Sequence, residues 1–257
     1  MTPGGERIAR AIFAAKEAGR PAIAAYLTAG FPSREAFPAL LLDVASAADV
    51  IEVGVPFSDP IADGVTIQTA SRVALAAGTT LVWTLETLAA ARTALAAPVV
   101  VMSYVNPLFV YGLAPLARDA AAAGVSGFLV PDLPLEEQAW LSPALRERGL
   151  ALIQMTTPAT PPHRLSHIAA SSDGFLYAVT VAGITGGRLA GSSDLVDHLE
   201  RVRAATAGPV LAGFGIRNAD DVAAIVPPAD GVVVGSALIA AIEKGAAPSH
   251  FLRGLRP

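Results

Sequence analysis

Eight times between Pro21 and Glu243, a short apolar run of strand length is followed by a stretch with helical patterning. No other feature of the chain limits its fold as much. The runs are Pro21–Thr28, Val50–Val55, Pro98–Ser103, Gly127–Val130, Leu150–Met155, Gly174–Val179, Pro209–Ala212 and Gly231–Val234. The helical stretches run from an N-capping Ser33 to about Ala47, from Val65 to Ala76, and from Thr79 or Thr80 to Ala96. They continue over 113–123, 135–148, 162–171, 192–206, 218–226 and Ala237–Glu243. The runs are apolar throughout rather than alternating, so both faces of each strand must be covered, as in a parallel sheet. Eight such units in 257 residues predict one α/β domain over 1–257, a (β/α)8 TIM barrel. An open doubly wound sheet is the alternative, but no glycine-rich turn follows the first strand. Glu6–Ala18 precedes the repeat and places Ile8, Ile12 and Phe13 on one helix face, which predicts a capping helix.

Composition narrows the chemistry. Hydrophobic residues make up 53% and charged residues 16%, enough apolar material for a large core. The net charge of −4, with no basic stripe, argues against nucleic acid as a partner. The chain has no cysteine, which excludes disulfides, thiolate nucleophiles and cysteine-ligated metals. No charged n-region precedes an apolar h-region, and no apolar run is long enough to span a bilayer, so a cytoplasmic protein without a membrane partner is expected.

In this barrel the chemistry sits at the C-terminal ends of the strands. Those ends carry Thr28, Glu52, Asp59, Asp63, Tyr104, Asn106, Asp132, Thr156, Thr157, Tyr177, Thr180, Gly213-Phe214-Gly215 and Gly235-Ser236. The lysines, Lys16 and Lys244, end no strand, which removes a Schiff-base mechanism. His163, His167, His198 and His250 lie in helices or the tail, so no histidine-held metal is expected at the mouth. Acid–base chemistry by carboxylates, without cofactor or metal, remains. Glu52 stands in a β-branched run, where an ionised carboxylate is costly to bury without a purpose or a partner. It is either a proton donor raised toward neutrality or one half of an internal pair with arginine. The glycines after the last three strands, together with a helix opening at Ser236, suit a phosphate held by backbone N–H groups.

The same residues resemble one family closely, the tryptophan synthase α subunit. The matches include Tyr26-Leu27-Thr28-Ala29-Gly30, Glu52-Val53-Gly54-Val55-Pro56-Phe57-Ser58-Asp59-Pro60, Ala62-Asp63-Gly64, Ile67-Gln68, Met102 to Pro107, and Val130 to Pro134. Later come Gly183-Ile184-Thr185-Gly186, Gly213-Phe214-Gly215-Ile216 and Val234-Gly235-Ser236. The resemblance implies retro-aldol cleavage of indole-3-glycerol phosphate to indole and glyceraldehyde 3-phosphate. It implies Glu52 as the general acid–base at the indole ring carbon, Asp63 as the partner of the indole N–H, and Tyr177 beside the cleaved bond. Gly186, Gly215, Gly235 and Ser236 would hold the phosphate. Tyr26, Met102, Leu129 and Phe214 would line the indole pocket. Asp59 and Thr185 would belong to loops that close over substrate and face a pyridoxal-phosphate-bearing β subunit. Three positions depart from the family pattern: Val65 replaces a proline, and Val73 and Val181 replace arginines. All three fall in or beside those loops. A stand-alone lyase releasing free indole, and a weakly catalytic barrel that activates a partner, are the other readings.

Overall fold

The structure is a computed structural model and describes residues 1–180, 193–213 and 215–256. Among these residues, eight parallel strands close into a barrel in sequence order, with the last strand pairing the first. They are β1 Ala22–Thr28, β2 Val50–Gly54, β3 Val99–Met102, β4 Val125–Leu129, β5 Ala151–Thr156, β6 Leu176–Val179, β7 Val210–Gly213 and β8 Gly231–Val234. The expected barrel is therefore present. No single helix among the described residues is long and apolar enough to cross a membrane.

Alternation of side chains sorts the apolar residues into two cores. One fills the barrel, from Ala22, Ala24, Val50, Val100, Leu129, Ile153, Leu211 and Val233. Ile8, Ile12 and Ala15 of the first helix, α1 (Pro3–Glu17), belong to this same core, so α1 plugs the end opposite the strand C-termini. Ile8 and Ile12 are fully buried, which contributes about 1.5–3 kcal/mol each. The second core lies between the outer strand faces and the helices and includes Ile51, Val53, Val101, Phe128 and Val232. Asp230 ties the plugged end together. Its carboxylate accepts from Lys16 Nζ and Arg203 at 2.8 Å and from the Val210 N–H at 2.9 Å.

Some boundaries differ from the sequence expectation, and proline explains most of them. Ser33 does not cap α2 (Phe37–Ala45). Its hydroxyl accepts from Ala36 N–H at 3.2 Å in a preceding turn, and the helix starts one residue before Pro38, whose missing N–H is tolerated only in a first turn. After α3 (Val65–Ala76) and α4 (Leu81–Ala91), an unexpected helix, α5 (Val105–Tyr111), accommodates Pro107 in its own first turn. It is followed by α6 (Leu113–Ala122). The stretch 135–148 divides into a 3-10 turn, Leu135–Trp140, and α7 (Ser142–Glu147), which opens at Pro143. Next come α8 (Pro162–Ser171) and α9 (Ser193–Ala204). The helix predicted over 218–226 shortens to α10 (Ala219–Ala223). Then follow α11 (Ser236–Glu243) and a second unexpected helix, α12 (Pro248–Arg253).

Candidate active site

Glu52 is the centre of β2, level with Tyr26 on β1 and Val100 on β3. It shares parity with Val50, so it points into the barrel. It is 3% exposed, and among the described residues no arginine or lysine pairs with it. The internal ion pair that the sequence allowed is therefore not formed. Burial pushes the Glu52 carboxyl up to about 8, and the nearby charge of Asp63 adds to the rise. Near neutral pH this burial favours the protonated acid.

The space left by Gly54 is filled rather than open. A Cβ on Gly54 would lie 2.1 Å from the Tyr26 hydroxyl, and one on Gly213 would lie 2.1 Å from the Tyr177 hydroxyl. Two phenols thus lie over two glycines, from β1 and from β6. Both are raised well above their ordinary pKa by burial and by the charges of Glu52 and Asp63, so both stay neutral. Those mutual effects place Glu52, Asp63, Tyr26 and Tyr177 within electrostatic reach of one another. Met102, Leu129 and Ile153 are consecutive partners across β3, β4 and β5 and give the cavity an apolar wall suited to a flat ring.

Asp63 ends the loop after β2 and is 5% exposed. Burial raises its carboxyl to about 6, and the nearby Tyr104 hydroxyl opposes that rise. The Tyr104 oxygen also accepts from Ala62 N–H at 3.0 Å, and its ring stacks on Phe57 with centroids 5.1 Å apart. Gln68 Nε2 donates to the Asp63 carbonyl at 2.8 Å. The sequence placed Tyr104 at a strand end but gave it no role, because its partners lie 42 and 47 positions away along the chain. Asp132, another strand-end acid, is used locally: it accepts from Val105 N–H at 3.0 Å and caps α5. Asp59 is exposed at the loop tip and accepts from Ser58 Oγ at 2.5 Å.

At the far side of the mouth, Gly235 is the N-cap of α11 and the Ser236 hydroxyl is exposed beside it. Gly64 borders this spot, since a Cβ there would lie 4.0 Å from Ser236 Oγ. Gly215 adopts φ 86° on the same rim. The C-terminal rim of the barrel therefore carries a buried acid, a second acid, an apolar wall and a helix N-terminus. Val65 and Val73 stand on α3 at 75% and 42% exposure. Val181, Thr185, Gly186 and Phe214 lie outside the described residues. His163 and His167 occupy the exposed face of α8, while His198 is buried in α9 and donates to the Val179 carbonyl. A cleft of about 820 Å³ lies outside the barrel, between Thr2, Arg146 and Asp173. Its one carboxylate, Asp173, is already committed to the Thr2 N–H at 3.0 Å, so it offers no acid pair.

Known proteins of one family are similar to this chain over nearly its whole length. A family model for the tryptophan synthase alpha chain matches residues 12–252. The tryptophan synthase alpha chain of Roseiflexus castenholzii is 45% identical over 97% of this chain and 99% of its own length. That of Nitratidesulfovibrio vulgaris is 43% identical over 96% of each. Among solved structures, a chain of Mycobacterium tuberculosis tryptophan synthase superposes with a TM-score of 0.89 at 36% identity, covering 97% of this chain and 96% of that one. The tryptophan synthase alpha chain of Legionella pneumophila gives 0.86 at 31% identity, covering 99% and 96%.

Proposed function

The chain belongs to the tryptophan synthase alpha chain family, and from that premise we propose that it cleaves indole-3-glycerol phosphate to indole and glyceraldehyde 3-phosphate in tryptophan biosynthesis. The observation that carries this reading is Glu52, a carboxyl buried inside the barrel with no basic partner among the described residues, with a second buried acid, Asp63, close enough for its charge to add to the rise of the Glu52 pKa. Glu52 gives its proton to the indole ring carbon that bears the glycerol chain. The carbon–carbon bond can then break, because the ring has become an electron sink. Asp63 accepts the indole N–H and stabilises the positive charge that develops on the ring. The hydroxyl on the departing carbon loses its proton to the Glu52 carboxylate and becomes the aldehyde, so the acid is regenerated. Tyr177 stands beside the cleaved bond. Tyr26, Met102 and Leu129, with Phe214, hold the ring. Gly215, Gly235 and Ser236, with Gly186, hold the phosphate. No cofactor or metal takes part.

We place the enzyme in the cytoplasm, as one component of a complex with a β subunit. Ile61 and Val65, on the loop after β2 and the start of α3, are 71% and 75% exposed. Phe109 and Val110, on α5, are 64% and 76% exposed. Large apolar groups exposed on the segments that follow β2 and β3 suit a protein partner. Purified chain should release indole slowly alone and much faster with a cognate β subunit. Fast turnover unaffected by a β subunit would make the enzyme a stand-alone lyase, and no turnover in either case would remove the activity.

The phosphate seat makes a separate prediction. A Cβ on Gly235 meets Ile67 Cδ1 at 3.5 Å and Tyr26 Cβ at 3.6 Å, ordinary contacts, so Gly235→Val should fold. Its branches would cover the first N–H groups of α11, which lose charged hydrogen bonds to the phosphate. The Kd for glyceraldehyde 3-phosphate should rise ~10–100-fold with indole affinity unchanged, measured by calorimetry. Equal weakening of both ligands would mean that the cavity as a whole had collapsed. Gly215→Val is the poorer probe, because φ 86° strains any side chain there.

A further inference from the structure

We propose that the chain has a second small-molecule site, on the outer face of the barrel beside Gln154, which takes a small neutral ring bearing a carboxamide or lactam group. The site stands apart from the acids at the rim and does not depend on the lyase reading.

Gln154 interrupts the apolar run of β5. Ala151 and Ile153 of that strand belong to the core inside the barrel and Leu152 to the outer core. Alternation therefore turns Gln154 outward, toward the 3-10 turn Leu135–Trp140 and α8. It is 6% exposed. A side-chain amide is costly to bury unless its carbonyl and its nitrogen both find partners. The Gln154 carbonyl accepts from Gln138 Nε2. Among the described residues, nothing accepts from the Gln154 amide nitrogen and nothing donates to the Gln138 side-chain carbonyl. A bond between two carboxamides uses one N–H and one carbonyl. One NH2 and one carbonyl are thus left on the pair, whichever amide donates.

The two amides line a cavity of about 180 Å³. Leu133, Leu135, Leu152, Met155 and Ile168 supply aliphatic wall around them. A cavity of about 150 Å³ is enough to hold benzene, so this one has room for an aromatic ring and a polar substituent. Its charges cancel. Arg164, the cation in the lining, donates to both Glu136 oxygens, at 2.9 Å to one of them. An anion would compete with Glu136 for Arg164, and a cation would find the same carboxylate already occupied, so a neutral ligand fits best. Thr160 Oγ1 is also in use, accepting from Thr157 N–H at 3.0 Å. A carboxamide or lactam presents a carbonyl and an N–H along one edge, the complement of what the two glutamines leave open. Water can satisfy the amides, but a ring also covers the leucines, and displacing water from them is favourable. Leu135, Gln138 and Leu152 border the wide cleft of about 820 Å³ as well, which gives the ligand a way in.

The test titrates benzamide into the full chain carrying 13C-labelled methyl groups. At millimolar concentration it should shift the methyl signals of Leu135, Leu152, Met155 and Ile168 and leave those of Ile8 and Ile12 in place. Benzoate, of the same shape but charged, should bind at least ~10-fold more weakly, and so should benzamide to Gln154→Met, which keeps the chain length but loses the amide. Benzene should bind that variant as well as it binds wild type. Gln138→Met, at a half-buried position, repeats the comparison if the buried substitution disturbs folding. A crystal grown with benzamide should show its amide edge against Gln138 and Gln154. Unmoved methyl signals, equal affinity for benzamide and benzoate, unchanged affinity in both variants, or waters alone in the crystal would each overturn the proposal. No step measures indole formation, so failure here leaves the lyase reading untouched.

Discussion

Glu52→Gln should lower the single-turnover rate of indole formation by at least ~10²–10⁴-fold and leave substrate affinity nearly intact. The amide fills the same volume between Tyr26 and Val100 but holds no transferable proton. Retention of most of the rate would show that the proton comes from elsewhere. The same variant should gain stability at alkaline pH. Burial raises the Glu52 carboxyl from its ordinary value of 4.5 to about 8, so the folded chain holds this proton more tightly than the unfolded chain does. The contribution is fully present below about 4.5 and is lost as pH rises through about 8. Wild type should therefore melt lower at pH 8 than at pH 5, with a difference on the order of a few kcal/mol. Glu52→Gln should flatten that slope and melt above wild type at the higher pH. A variant destabilised at both pH values would mean that Glu52 has a partner which offsets its burial.

Asp63→Asn should lower kcat by more than ~10²-fold with KM changed only a few-fold, because charge on the ring develops only as the ring carbon is protonated. It should also move the alkaline limb of the pH–rate profile to lower pH. The Asp63 charge helps to raise Glu52, so without it Glu52 ionises sooner. A change confined to KM would reduce Asp63 to a binding group. An alkaline limb that stays in place would mean that the two acids do not sense each other.

The barrel and its acids were legible in the sequence for a plain reason. Continuous apolar runs such as Val50–Val55 admit few architectures, and an acid inside such a run, Glu52, stands out by its cost. Element ends were less legible where proline acts through position. Pro38 and Pro107 start helices here because each falls in a first turn, whereas a pattern search reads proline as a stop. Contacts between units were the least legible. Nothing local to Tyr104 announces Asp63 or Phe57, and Asp132 resembles a site acid until its bond to Val105 N–H is seen. Such pairings depend on which strand ends meet at the rim, and closure of the barrel decides that.

Gly54 and Gly213 carry an implication for how such a chain can change over time. Each sits 2.1 Å, measured from a hypothetical Cβ, from a buried phenol oxygen. One added methyl at either position would have to displace Tyr26 or Tyr177. Core positions such as Val100 or Ile153 can exchange aliphatic side chains with repacking at modest cost. Positions 54 and 213 have an alphabet of one letter. The cavity thus inherits its shape from two residues without side chains, and drift toward larger or smaller substrates has to pass through Tyr26 and Tyr177 rather than through the glycines beneath them.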